Sequence, residues 1–318
     1  MIFVPIRTST MRPEVKLTFE IYIKLLDRYV LYIKHGDDIR TDRLENLKKR
    51  KVRQLFIPAE HESDYQIFLD NYLIEAGQNV MMSTIEKAEV VNSYATGATE
   101  EIFKDPRSKK SYVKAQKAAK GILDIVVKNE DVLKSLVMSN LTSDSDNKSE
   151  MLIRNSVNVS TIAVKFGEKM GLSNADQEIL GMAGLFHDIG ISKLPPRALD
   201  LLFIKESEYV ASDWGIYKSH PETGVDLLKD RDYVSPDLLL LILQHEEKKS
   251  GSGFPKGLHK LSKQQEIFNL CCFYSKQVLY LKIPPAEVLK SIMIDEVGNY
   301  ELSLLQKFRD FLKQEGLF

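Results

Sequence analysis

The chain has 318 residues, more than one hydrophobic core usually holds, which predicts two domains. A hydrophobic content of 43%, a charged content of 28% and a net charge of -1 are typical of globular proteins and give no global field to attract a nucleic-acid polymer. The adjacent Cys271 and Cys272 exclude a disulfide framework. The longest apolar run, Leu238–Leu243, is too short for a membrane span, so we predict no membrane contact and a cytoplasmic location.

The first part of the chain alternates between strand and helix patterns. Apolar and polar residues alternate from Val15 to Lys24, which is the period of a half-buried strand. Further strands are predicted at Tyr29–Ile33 and Val52–Ile57, and helices at Thr41–Arg50 and around Tyr65–Leu73. We therefore predict a small α+β domain over residues 1–80, with a regulatory or dimerising role.

Beyond Ser83 the strand pattern disappears. Two long helical segments are predicted at Ser83–Lys104 and Lys110–Met138, followed by a polar linker at Ser139–Asn147. Helices at Met151–Met170 and Asn174–Asp188 come next, the second beginning at a capping box formed by Ser173 and Asp176. The predicted division is a helical connector and linker over residues 81–145 and an all-α domain over residues 146–318.

Three of the six histidines lie beside strongly apolar helical segments in this second half. They are His187, which is followed by Asp188, then His220 and His245. A single histidine in such a place is more often a satisfied core or capping residue. Three of them with an adjacent aspartate are harder to explain by packing, because each buried ionisable group needs a partner.

Imidazole and carboxylate are the ligands that divalent transition metals use. Adjacent helical residues point about 100° apart, so His187 can hold one metal while Asp188 reaches between two. With His220 and His245 on the second ion, the two metals would lie roughly 3.5–4 Å apart. Such a pair lowers the pKa of a water molecule and neutralises a phosphoryl oxygen, which suits attack on a phosphodiester.

The order of these motifs resembles the HD-GYP branch of the HD superfamily. The matching strings are His187-Asp188-Ile189-Gly190, His220-Pro221, and His245-Glu246-Glu247 followed by Gly251-Ser252-Gly253-Phe254-Pro255. The resemblance covers roughly Met151 to Phe318. It implies an all-helical HD-type domain that hydrolyses cyclic di-GMP with two divalent metal ions, iron or manganese favoured. It makes Asp188 the catalytic residue and places Gly251, Gly253, Phe254 and Pro255 in a substrate loop.

Three candidate ligand positions depart from the family pattern. The first family histidine is Asn155 here, the second histidine of the HHE block is Glu246, and the closing aspartate is Cys272. An amide oxygen is a weaker ligand than imidazole, and a cysteine ligates as a thiolate but not as a neutral thiol. Asn155, Glu246 and Cys272 are therefore further candidate ligands.

Three substrate positions depart as well. The lysine that follows HDIG is Ile191, the GYP tyrosine is Phe254, and the arginine after the loop is Glu266. We expect Glu266 to repel a dianionic dinucleotide. These changes leave three hypotheses open: a cyclic di-GMP phosphodiesterase, a degenerate domain that binds nucleotide or protein partners without efficient turnover, and a hydrolase of another phosphate ester.

Overall fold

The computed structural model describes residues 1–129, 131–142 and 147–318. It divides into two compact units, Met1–Gly97 and Ala98–Phe318. The first contains four strands and the second is built from helices, which confirms the predicted order of an α+β part followed by an all-α part. The domain boundaries at residues 80 and 145 stay predictions.

The N-terminal unit is an antiparallel sheet with helices. Its strands are β1 (Phe3–Arg7), β2 (Ile21–Leu25), β3 (Arg28–Ile33) and β4 (Gln54–Pro58), in the spatial order β1-β4-β2-β3. Its helices are α1 (Thr41–Lys49), α2 (Glu62–Gln78) and the first part of α3 (Thr84–Lys104). Buried side chains from β2, β4 and α2 form the core, among them Ile21, Ile57 and Leu69.

The strand predicted from Val15 to Lys24 is wrong in its first half. Leu17 and Phe19 are buried as their alternation predicts, but the backbone before Ile21 makes irregular hydrogen bonds and one isolated bridge, between Lys16 and Asp38. Alternation records which side chains are buried, and burial does not require a ladder. The strand β1 was missed because Pro5 interrupts its apolar run.

The second unit contains the remaining helices in chain order. They are α4 (Lys109–Val126), α5 (Val132–Leu141), α6 (Lys148–Lys169), α7 (Asn174–Phe186), α8 (Pro196–Leu201), α9 (Ala211–Lys218), α10 (His220–Leu228), α11 (Pro236–Gln244), α12 (Lys263–Ser275), α13 (Pro285–Asp295) and α14 (Leu302–Gln314). Short 3-10 turns follow at Ile189–Lys193 and Glu206–Glu208, and a π-helical turn at Lys276–Tyr280 continues α12.

One predicted helix is broken. The segment Lys110–Met138 is split into α4 and α5, because Asp131 has a φ of 63° and cannot continue an α-helix. The predicted linker Ser139–Asn147 begins inside α5, and its residues 143–146 lie outside the described residues.

Caps fix where the helices of the site begin. Ser173 accepts a hydrogen bond from the backbone N–H of Asp176 at the start of α7, at the predicted capping box. Ser235 and Ser262 cap α11 and α12 in the same way. Across the part of the chain that the structure describes, no helix combines the length and apolarity needed to cross a bilayer.

Candidate metal centre

The three histidines lie at helix ends and share one arrangement. His187 follows α7, His220 begins α10 and His245 follows α11. Each Nδ1 lies close to the backbone carbonyl oxygen three residues earlier, at 2.9 Å for His187, 2.6 Å for His220 and 2.7 Å for His245. A carbonyl only accepts, so each Nδ1 carries a proton and each Nε2 faces the centre.

Asp188 lies between the imidazoles. Its Oδ2 is 3.1 Å from His187 Nε2, while its Oδ1 is 3.5 Å from His220 Nε2 and 3.8 Å from His245 Nε2. The two carboxylate oxygens therefore face different histidines. Within the described ranges, Asp188, His220 and His245 form a group whose ligand atoms all lie within 4.8 Å of one another.

The donor set fits a transition metal. With Nδ1 protonated, a neutral His220 and a neutral His245 direct lone pairs at each other, and their Nε2 atoms are 2.9 Å apart. Neither nitrogen can donate to the other in that state, so the two lone pairs suit a cation held between them. Two imidazoles and a carboxylate are suitable ligands for iron, manganese or zinc.

Burial and charge set the protonation of the cluster. Burial lowers the pKa of His220 to about 4 and the pKa of His245 to about 3, so both are neutral near pH 7. Burial also opposes the charges on His187 and Asp188. Their mutual attraction outweighs it, raising the pKa of His187 and holding the pKa of Asp188 well below its usual range.

A close backbone approach brings Asp188 to His220. A Cβ on Gly190 would lie 2.0 Å from the carbonyl oxygen of His220, which no real side chain tolerates. Glycine at position 190 therefore lets the turn Ile189–Lys193 pack directly on the start of α10.

The three further candidate ligands lie around this cluster without joining the compact group. Asn155 is 1% exposed, and its Nδ2 is 3.4 Å from His187 Nε2 while its Oδ1 accepts from Ser275 Oγ at 2.7 Å. Glu246 accepts a hydrogen bond from the Tyr217 hydroxyl instead. Burial raises the pKa of Cys272 well above its ordinary value, so Cys272 is a neutral thiol.

The predicted substrate loop is held by a buried carboxylate. Glu247 is 0% exposed and accepts from the backbone N–H groups of Lys256 at 2.6 Å and Leu258 at 2.9 Å. The loop also needs Gly253, because a Cβ there would lie 2.3 Å from the backbone nitrogen of Lys248. Gly251 has a φ of 81°, and a cis peptide bond joins Phe254 to Pro255. Phe254 packs with its ring centroid 5.5 Å from that of Tyr217.

The centre opens into a cavity of about 460 Å³, a size that suits a nucleotide-like ligand. Asn155, His187, Asp188, His245, Glu246 and Cys272 all line it, with Gly253 and Phe254 from the substrate loop. His220 is fully buried behind the lining. The lysines that line the cavity are Lys205, Lys218, Lys248 and Lys276.

Sequence reasoning missed several cavity residues, chiefly Lys276, Tyr280, Tyr217 and Glu206. A signal was present for two of them. Lys276 and Tyr280 follow Cys272 at intervals of four residues, which places all three on one face of a helix.

The predicted repulsion by Glu266 has no geometric basis. Glu266 is not among the described residues that line the cavity. Its carboxylate accepts from the backbone N–H of Glu301 at 3.2 Å and lies 3.9 Å from Lys249 Nζ. The Glu266 carboxylate is therefore held by these two partners at the start of α12.

Comparisons with known proteins agree with this geometry. Residues 137–262 match the model of the HD domain family. The cyclic di-GMP phosphodiesterase PA4108 of Pseudomonas aeruginosa is 28% identical over 74% of this chain and 55% of its own length. The cyclic di-GMP phosphodiesterase response regulator RpfG of Xanthomonas campestris pv. campestris is 31% identical over 31% of this chain and 26% of its own length. The chain thus spans about half or less of these relatives.

The structural match extends over both parts of the chain. Bd1817, an HDG"Y"P protein from Bdellovibrio bacteriovorus, is similar with a TM-score of 0.76 and 27% identity. The match covers 98% of this chain and 100% of Bd1817. Together with the motifs around His187, His220 and His245, these findings show that residues 137–262 match an HD domain and that the chain is similar to an HDG"Y"P protein.

Proposed function

We propose that the protein is a metal-dependent phosphodiesterase that hydrolyses cyclic di-GMP. The observation that carries the proposal is the position of Asp188, whose two oxygens face His187 on one side and the pair His220 and His245 on the other. A carboxylate in this position could serve as a ligand to an ion on either side.

The residues that would hold the metals are His187, Asp188, His220 and His245, with Asn155 and Glu246 in reach of the same cavity. Two bound divalent ions, iron or manganese favoured, supply positive charge for a phosphoryl oxygen and lower the pKa of water. The carbonyl partners of the three Nδ1 atoms fix the imidazole planes, so the ligand nitrogens are oriented before any ion binds.

The walls of the cavity suit a phosphodiester with aromatic bases. Lysines on several sides offer positive charge to phosphate oxygens, and Trp214 and Phe254 offer apolar ring surface. Both named relatives are cyclic di-GMP phosphodiesterases, which supports this substrate class. A cytoplasmic location and protein partners stay predictions.

A second candidate function is cyclic di-GMP binding without turnover. The hydrogen bond that Glu246 accepts from Tyr217 favours it, because it engages a carboxylate that a second ion would need. Both functions require binding of cyclic di-GMP, and only the first includes its hydrolysis.

The test is hydrolysis of cyclic di-GMP by the full chain supplied with iron or manganese. Asp188→Asn keeps the side-chain shape and removes the charge, so we expect turnover to fall by about 10³-fold or more, beyond the 10–100-fold typical of residues that only support ligands. Asp226→Asn, which removes an exposed carboxylate on α10, is the matched control and should retain full activity. If the wild-type protein binds cyclic di-GMP but does not hydrolyse it, the enzyme hypothesis is wrong and the second candidate function, binding without turnover, takes its place.

A further inference from the structure

Lys276 is the most deeply buried of the lysines that line the cavity. It begins the π-helical turn that continues α12, and it is 8% exposed. Its Nζ donates to the Tyr217 hydroxyl at 2.6 Å and to Glu206 Oε1 at 2.8 Å. A buried ammonium requires acidic partners. Lys276 contacts Glu206 directly and reaches Glu246 through the Tyr217 hydroxyl.

The two partners of Lys276 differ in how firmly they are held. Tyr217 is 0% exposed, and its hydroxyl donates a hydrogen bond to Glu246, so this side of the lysine is a fixed hydrogen-bond chain. Glu206 lies on the short turn Glu206–Glu208, and its side chain is 47% exposed against 10% for Lys276. The carboxylate of Glu206 is therefore the exchangeable partner.

Tyr217 also connects Lys276 to the metal centre. Its carbonyl oxygen accepts from His220 Nδ1, and its ring centroid is 5.0 Å from that of His220. One residue thus separates the buried ammonium from the histidine cluster.

Position 191 carries a lysine in the HD-GYP family that this chain resembles, but here it is an isoleucine and supplies no positive charge. Ile191 is 4% exposed and belongs to an apolar cluster with Leu201, Phe254 and Tyr280. The cation of this cavity wall comes instead from α12, one helical turn after Cys272.

We propose that Lys276 is the phosphate-binding residue of this cavity, and that Glu206 occupies its ammonium until a phosphate group of the cyclic dinucleotide displaces it. The inference rests on the proposed substrate class. A phosphate oxygen takes the place of the Glu206 carboxylate oxygen, while the contact with Tyr217 is kept. The ion pair between Glu206 and Lys276 then sets the affinity of the cavity for anions, because every bound phosphate must break it.

The test is the dissociation constant of cyclic di-GMP, measured by calorimetry on the EDTA-treated full chain so that no turnover interferes. Lys276→Met should weaken binding about tenfold or more, the loss of one charge-assisted hydrogen bond. Glu206→Gln should tighten binding about threefold or more, because the competing charge is gone. The gain should disappear in the double variant, where there is no ammonium to release. Lys229→Met, which removes an exposed lysine directly after α10, is the control for net charge.

Each outcome decides between the two proposals. Opposite effects of the single variants, coupled in the double variant, support the role of Lys276 whether or not the metal-loaded protein turns over. Unchanged affinity in Lys276→Met, or an equal gain from Glu206→Gln in both backgrounds, overturns it. Binding without turnover by the metal-loaded chain overturns the enzyme alone. A wild-type chain that binds no cyclic di-GMP without metal overturns the role of Lys276, and one that also neither binds nor hydrolyses it when loaded with iron or manganese overturns both.

Discussion

At the inner end of the cavity, His187, Asp188, His220 and His245 are at most 4% exposed, whereas at the outer wall the Glu206 side chain is 47% exposed. Each inner histidine is oriented by the main-chain carbonyl three residues earlier in the chain. The outer wall is held by pairs of side chains from different elements, such as Lys276 with Glu206. The difference teaches that the metal centre is fixed by the fold, while the substrate wall depends on contacts that a ligand can exchange.

The largest expected effect comes from the backbone approach that forms the inner end. In Gly190→Ala the new methyl would lie 2.0 Å from the carbonyl oxygen of His220. We therefore expect the free energy of unfolding, measured with urea, to fall by about 3 kcal/mol and the bound metal to be lost. Gly215→Ala in α9 has nothing within 4 Å of the new Cβ and should be neutral or more stable by up to about 1 kcal/mol. Equal stabilities of the two variants would contradict this view of the inner end.

Glu247 tests whether the substrate loop is separable from the metal centre. Glu247→Ala leaves the backbone N–H groups of Lys256 and Leu258 without their acceptor, which should cost about 2 kcal/mol of unfolding free energy. Metal content should be retained, since Glu247 makes its bonds to the loop. Glu222→Ala, an exposed change on α10, is the control. If Glu247→Ala also loses its metal, the substrate loop and the metal centre are not separable.

The pH dependence of the metal-free protein sharpens the description of the inner end. The folded pKa values of His220 and His245, about 4 and about 3, lie below their value of about 6.5 in an unfolded chain. The unfolded state therefore binds more protons as the pH falls below about 6.5, and stability is lost progressively toward pH 4. The raised pKa of His187 opposes this trend, since its contribution is present at low pH and lost as the pH rises.

We expect a net loss of about 2 kcal/mol between pH 7 and pH 5, measured by urea unfolding of the EDTA-treated chain. His245→Asn removes one of the two depressed groups and should flatten the profile. A stability that stays level or rises toward pH 5 would show that these imidazoles take protons readily in the folded protein.

The smallest predicted effect is a gain at the weakened ligand position. Asn155 lies 3.4 Å from His187 Nε2, so an imidazole at this place can reach the same centre. Asn155→His should raise the affinity for iron or manganese about tenfold, because imidazole is the stronger ligand. Ser275→Ala removes the hydroxyl that holds Asn155 and is the control for a merely structural change. An equal gain in both variants would contradict a ligand role for position 155.

The sequence predicted the inner end far better than the outer wall. His187, His220 and His245 lie beside apolar helices, and an ionisable group there is visible from local pattern alone. Lys276, Tyr217 and Glu206 come from three different elements, so the helical spacing that places Lys276 on the face of Cys272 does not predict which side chains it contacts. The same limit explains the error at Val15–Lys24, where burial alternates but the backbone pairs irregularly.

The most direct test of the central claim is the metal content of the freshly purified protein, measured by elemental mass spectrometry beside Asp188→Ala. The account predicts about two ions per chain in the wild type and their loss in the variant, because Asp188 faces all three histidines. A wild-type protein that carries no metal and takes up neither iron nor manganese would contradict the metal centre and leave the cavity as a binding site.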